Sequence, residues 1–133
     1  MTANLLHELQ RSSRLLGRPK RVLIVDDDES IRDVLAHRLE RQGYETIGAE
    51  TGRQGLALAR TDHPDLVVLD LRLPDIDGFA VCQDLDEDPN TCHIPVIVLS
   101  GMERPDIIRR ARMSGCTYFV RKPYDPNALL VLI

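Results

Sequence analysis

Short apolar runs recur along the chain: RVLIV (21–25), YETIGA (44–49), DLVVL (65–69), IPVIVLS (94–100) and TYFVRK (117–122). They start about twenty to thirty residues apart, and each interval has room for one helix. Ile31, Val34, Leu35 and Leu39 fall at helical spacing, as do Ile107, Ile108 and Ala111. Leu56 and Ala59 form a weaker set. Gly43, Pro64 and Gly115 stand at the expected helix ends, since glycine adopts the left-handed turn that stops a helix and proline cannot continue one. Alternation of this kind predicts βαβ units, hence an α/β fold with a parallel sheet.

The same pattern predicts strand order. VLIV, LVVL and VIVL are apolar on both faces, which suits strands covered by helices on both sides. YETIGA and TYFVRK mix polar and apolar positions and suit the edges. Five parallel strands with the second and fifth at the edges fit the doubly wound order 2-1-3-4-5. Right-handed crossovers then put the first and fifth helices on one face and the second, third and fourth on the other. Asp28 is expected to cap the first helix, and Asp77-Gly78 to form a turn that starts the third.

In open sheets of this order, ligands bind beyond the carboxyl ends of the strands, at the switch point between the first and third. Strand 1 runs out into Asp26-Asp27-Asp28, strand 3 into Asp70, strand 4 into Ser100-Gly101 and strand 5 into Lys122-Pro123. Carboxylates, a hydroxyl and an amine therefore converge on one rim. Clustered carboxylates repel one another unless a cation shares the site, and an oxygen-only donor set suits Mg²⁺. Asp70 is expected to be held rigidly by its apolar strand and exposed at the tip. A carboxylate so placed can attack phosphorus to form an acyl phosphate, with Lys122 and Ser100 stabilising the phosphoryl oxygens.

Composition narrows the partners. A net charge of −4 argues against direct nucleic-acid binding by the chain as a whole. No apolar run approaches a membrane span, and the first residues, MTANLLHELQRSSRLLG, lack the apolar core and cleavage site of a signal peptide. Cys82, Cys92 and Cys116 form no CxxC pair and read as reduced thiols of a cytoplasmic protein. The four histidines show no ligand spacing.

Taken together, VLIVDDDES, DLVVLDLRLPDIDGF, PVIVLSG and YFVRKPY, in that order and at suitable spacing, resemble the receiver domain of two-component response regulators. The likeness spans residues 20–133 and leaves 1–19 as an N-terminal extension. It implies a flavodoxin-like receiver fold and a phosphorylation-dependent signalling switch. The donor would be a histidine kinase or phosphotransfer protein. The acceptor would be Asp70, with Mg²⁺ on Asp26, Asp27, Asp70 and the Arg72 backbone carbonyl. Lys122 would pair with the phosphoryl group, the Lys122-Pro123 bond would be cis, and Ser100 and Phe119 would form a switch pair acting on the face made by the fourth helix, fifth strand and fifth helix. Chemistry would be limited to self-catalysed phosphoryl transfer and slow autodephosphorylation. Phe119 has no hydroxyl to anchor either of its states. Arg72 and Met102 occupy positions that tune phosphoryl lifetime in this family.

Two other classes compete. Haloacid-dehalogenase-type phosphatases also use aspartyl phosphate, but they carry a second acid two residues after the nucleophile, where this chain has Arg72. A receiver used only for binding would not need a complete acidic site. Arg109, Arg110, Arg112 and Arg121 make the region from the fourth helix to the fifth strand basic, as a solvated face or as a partner patch. The fifth helix, DPNALLVLI, is short and ends in apolar residues, which suggests a truncated chain with a missing output domain or an end that packs on an output protein. Leu5, Leu9 and Leu16 can share a helical face, so residues 1–19 read either as a linker or homodimerising helix or as a frayed tail.

Overall fold

The computed structural model describes residues 19–100, 109, 110 and 113, and the backbone of 118–121. In chain order the elements are β1 (Arg21–Val25), α1 (Glu29–Arg41), β2 (Glu45–Ala49), α2 (Gly52–Thr61), β3 (Leu66–Asp70), α3 (Gly78–Glu87), β4 (Val96–Ser100) and β5 (Tyr118–Arg121). The strands form a parallel sheet in the order β2-β1-β3-β4-β5. Arg109, Arg110 and Met113 are helical and exposed.

Strand alternation builds two separate cores. Val22 and Ile24 of β1, Leu66 and Val68 of β3, and Ile97 and Leu99 of β4 pack with Leu35 and Leu39 of α1. Leu23, Val25, Val67, Leu69, Val96 and Val98 face the other way, toward Leu56 and Ala59 of α2 and Phe79, Cys82 and Leu85 of α3. The first helix therefore covers one face, and the second and third cover the opposite one, as right-handed crossovers require. Strands β3 and β4 are buried along their whole length, whereas β2 exposes Glu45 and Gly48.

Local chemistry sets the helix ends. Asp28 caps α1 by accepting from the Ser30 and Ile31 N–H groups (2.9 and 3.4 Å). Glu29 in the first turn and Arg38 and Arg41 in the last match the helix dipole. Gly43 follows at φ +93°, and the Tyr44 N–H folds back onto the Leu39 carbonyl (3.1 Å). Two expectations shift here. Val34 is 46% exposed and belongs to the solvent face of α1, not the core. Tyr44 precedes β2 instead of starting it, and is buried against Leu35 and Leu39. The helix end expected at Pro64 is observed: α2 stops at Thr61, and His63 takes a positive φ of 49°, outside the helical range that the following proline disfavours.

At the opposite end of the sheet from the acids, Lys20 is buried and pairs with Asp65 (3.7 Å). Asp65 also accepts from the Arg21 N–H (2.9 Å), pinning the start of β1 beside β3. The N-terminal extension, the fifth helix, Gly115 and the Lys122-Pro123 bond lie outside the described residues.

Candidate functional site

Register and parity bring the acids together. β1 pairs with β3 so that Val25 lies beside Leu69. One step further, Asp26 and Asp70 are neighbours, and both continue the alternation that points Ile24 and Val68 toward α1. Asp27 follows on the exposed turn. One carboxylate oxygen from each of Asp26, Asp27 and Asp70 lies within 4.8 Å of the others. Asp26 is 2% and Asp70 6% exposed, while Asp27 is open to solvent. The expectation that Asp70 is exposed at the strand tip is thus corrected. The strand continues one step past it, with the Leu71 N–H on the Leu99 carbonyl (2.9 Å), before the Gly78 N–H returns to the Leu71 carbonyl (3.1 Å).

Each acid is positioned from its own backbone surroundings. Asp26 Oδ1 accepts from the Asp28 N–H (2.9 Å). Its carbonyl accepts from Arg32 Nη1 (2.6 Å), one turn into α1, and the Arg32 side chain runs past Gly48 of β2. Asp70 Oδ1 faces the Arg72 N–H at 3.4 Å. Two carboxylates about 5 Å apart repel by about 3 kcal/mol at an effective dielectric near 20, so bringing the buried pair together favours a shared cation. The donor set contains only oxygens and includes an open acid, Asp27, which fits a hard divalent ion that keeps part of its water. The residues present therefore fit Mg²⁺.

The loop between β3 and α3 is shaped by close contacts. A Cβ on Gly78 would lie 2.7 Å from the Cα and carbonyl oxygen of Leu71, so only glycine fits at that crossing. Asp77 caps α3 through the Phe79 N–H (2.9 Å). Its other oxygen pairs with Arg110 (2.9 Å), whose guanidinium also lies 4.4 Å above the Phe79 ring. Asp75 reaches back to α2 and accepts from the Gly52 and Arg53 N–H groups (2.8 and 2.9 Å).

Ser100 is buried at the end of β4, one residue beyond Leu99, the partner of Asp70. Lys122, Met102 and the side chain of Phe119 lie outside the described residues, as do Arg112 and the side chain of Arg121. Backbone register places Ser100 beside Arg121, immediately before Lys122. Sequence reasoning missed Arg32 and Asp75. Arg32 lies four residues after the cap Asp28, a spacing that signals a shared helix face and nothing about the strand end. Asp75 acts on a helix 23 residues earlier, and no local pattern carries that.

Comparison with known proteins agrees with this geometry. A family described as "Response regulator receiver domain" matches residues 22–133. The DNA-binding dual master transcriptional regulator RpaA of Synechocystis is 40% identical over 113 residues, which is 85% of this chain and 47% of that protein. This chain thus spans about half the length of that relative. The polar-differentiation response regulator DivK of Brucella ovis is 38% identical over 78% of this chain and 85% of its own. The structure of the chemotaxis response regulator CheY4 of Vibrio cholerae superposes with a TM-score of 0.79 at 30% identity, covering 84% of this chain and 93% of that one.

Proposed function

Because the chain belongs to the response regulator receiver domain family, we propose that it is a phosphorylation-dependent switch whose phosphoacceptor is Asp70. The observation that carries this reading is the convergence of Asp26, Asp27 and Asp70 within 4.8 Å at the carboxyl end of the sheet. Asp26, Asp27, Asp70 and the Arg72 carbonyl would hold Mg²⁺. Bound there, the ion would offset the charge of the carboxylates and of the phosphoryl oxygens.

An Asp70 oxygen forms the new P–O bond as the bond from phosphorus to the donor's imidazole nitrogen breaks, and the imidazole leaves with the electron pair. The donor is a histidine kinase or phosphotransfer protein. Lys122, one step past the strand residue paired with Ser100, stabilises the phosphoryl oxygens. The Ser100 hydroxyl donates to them. The reaction is self-catalysed and is undone by slow autodephosphorylation; the chain turns over no other substrate.

Phosphorylation replaces the single carboxylate charge of Asp70 with a phosphoryl group carrying about two negative charges beside Ser100. The Ser100 hydroxyl moves toward them, Phe119 fills the space behind it, and the surface near Arg109 and Arg121 changes shape. Coupling of this kind is typically ~1–3 kcal/mol, so the unmodified chain visits the active form part of the time. The receiver unit runs from residue 20, with residues 1–19 as an N-terminal extension, a linker or dimerising helix or a frayed tail. Output is exerted on a partner protein or an attached domain in the cytoplasm. RpaA, whose name describes it as DNA-binding, extends well beyond the matched region. DNA binding in a protein of that kind is thus assigned to such an attached domain, not to this acidic chain.

The test is incubation with a small acyl-phosphate donor and Mg²⁺. One phosphoryl group, labile to base and hydroxylamine, is expected on the wild-type chain and none on Asp70→Asn. Undiminished labelling of that variant would move the acceptor elsewhere.

A further inference from the structure

We propose that Asp75 is a positioning residue for the acceptor site: by clamping the β3–α3 loop onto the N-terminus of α2, it holds the backbone of Arg72 beside Asp70. This rests on the proposed function, in which Asp70 accepts the phosphoryl group and the Arg72 carbonyl is a metal ligand.

The first three N–H groups of α2 have no partner within the helix. Thr51 satisfies that of Gln54 (3.1 Å). Asp75 takes the other two, with one carboxylate oxygen on Gly52 and the other on Arg53. A short-range cap would suffice to start a helix, and an exposed helix end can be served by water. This clamp instead spans 23 residues and joins the loop to a helix that packs on β1.

The loop needs such an anchor. Its two ends are tied at Leu71 and Gly78. Between them Arg72, Pro74 and Asp75 are exposed, and only Leu73 and Ile76 lean on the core. Ile76 sits against Gly52, where a Cβ would come within 2.5 Å of it, so the clamp and this contact fix the same point. The segment from Asp75 back to Asp70 is then held at both ends, and Arg72 lies between them. Desolvation pushes the Asp75 carboxyl up, but backbone N–H donors led by Arg53 and Gly52 outweigh it and hold the group below the usual carboxylate range. The clamp is therefore charged at neutral pH.

The experiment compares the full chain with Asp75→Ala and Asp75→Asn. Mg²⁺ affinity is read by titration, the phosphorylation rate with a small acyl-phosphate donor, and loop order by amide hydrogen exchange. Groups that hold ligands in place commonly cost about 10–100-fold in metal affinity when removed. Asp75 acts through the loop, so a smaller loss of roughly 3–10-fold is expected for Asp75→Ala. Exchange at Arg72 should quicken while that at Asp28, on the other side of the site, is unchanged. Asp75→Asn keeps one of the two acceptor oxygens, sets an amide N–H against the other donor, and should recover only part of the affinity. Wild-type affinity in Asp75→Ala overturns the proposal and marks Asp75 as a helix cap only. Exchange at Arg72 that is unchanged in Asp75→Ala also overturns it, because the loop would then be held without the clamp. A wild-type chain that binds no Mg²⁺ and takes no phosphoryl group overturns the proposed function and this inference together.

Discussion

Tyr44 is buried between the end of α1 and the sheet, and that burial pushes its phenol up to about 12. The folded state disfavours the tyrosinate, which the unfolded chain forms near the ordinary phenol value of 10.0. Stability from this residue is therefore complete below pH 10 and is lost as pH rises toward 12, by roughly 3 kcal/mol at most. Urea midpoints measured from pH 9 to 12 should decline, and Tyr44→Phe should flatten the decline. The opposite sign holds for Asp88. The Asn90 N–H and the Arg60 side chain hold its carboxyl below the usual range. Its contribution is present above the unfolded value of 3.8 and is lost as pH falls through the lower folded value.

At the scale of elements, the β3–α3 connection is closely constrained at Gly78. Gly78→Ala would drive a methyl to 2.7 Å from the Leu71 backbone, which cannot swing aside as a side chain can. A loss of about 1–3 kcal/mol in urea denaturation is expected, together with weaker Mg²⁺ binding, because Leu71 adjoins both Asp70 and Arg72. By contrast, Asp28→Ala removes the cap of α1 and should cost about 0.5–2 kcal/mol. It also deletes a side chain next to Asp27 but keeps the N–H that holds Asp26, so its effect on metal should be the smaller of the two. The Asp77–Arg110 pair is about half exposed on both sides and contributes little as a charge pair. Its stacking on Phe79 links the helical residues around Arg110 to α3.

For the molecule as a whole, a metal held by the acidic rim would make stability depend on that ion. A ligand that binds only the folded state stabilises it by ~2.7 kcal/mol at a hundred times its dissociation constant. Thermal midpoints should therefore rise with Mg²⁺ and fall on chelation. Asp26→Asn should reduce the response, since it removes one charge from the buried pair. A wild-type midpoint indifferent to Mg²⁺ would argue against a shared cation. Among the described residues no helix is long and apolar enough to cross a membrane.

The central strands could be recognised from sequence because burial on both faces demands unbroken apolar runs, and VLIV, LVVL and VIVL meet that demand residue by residue. The caps at Asp28 and Asp77 were legible for a related reason: each bonds backbone within three residues of itself. The acids at 26, 27 and 70 could be placed on one rim because the parallel connections and strand order leave few alternatives. Only the tertiary structure decided how deep Asp70 lies, since its exposure depends on how the neighbouring strand ends and loops pack around it. It alone revealed the Arg32 contact with the end of β1, the Asp75 clamp on α2, the pairing of buried Lys20 with Asp65, and the place of Arg110 over Phe79. Each of these joins side chains or backbone whose distance depends on how whole elements pack. Hydrophobic periodicity reports which face of an element is covered, but not which polar atom across the gap comes within 3 Å.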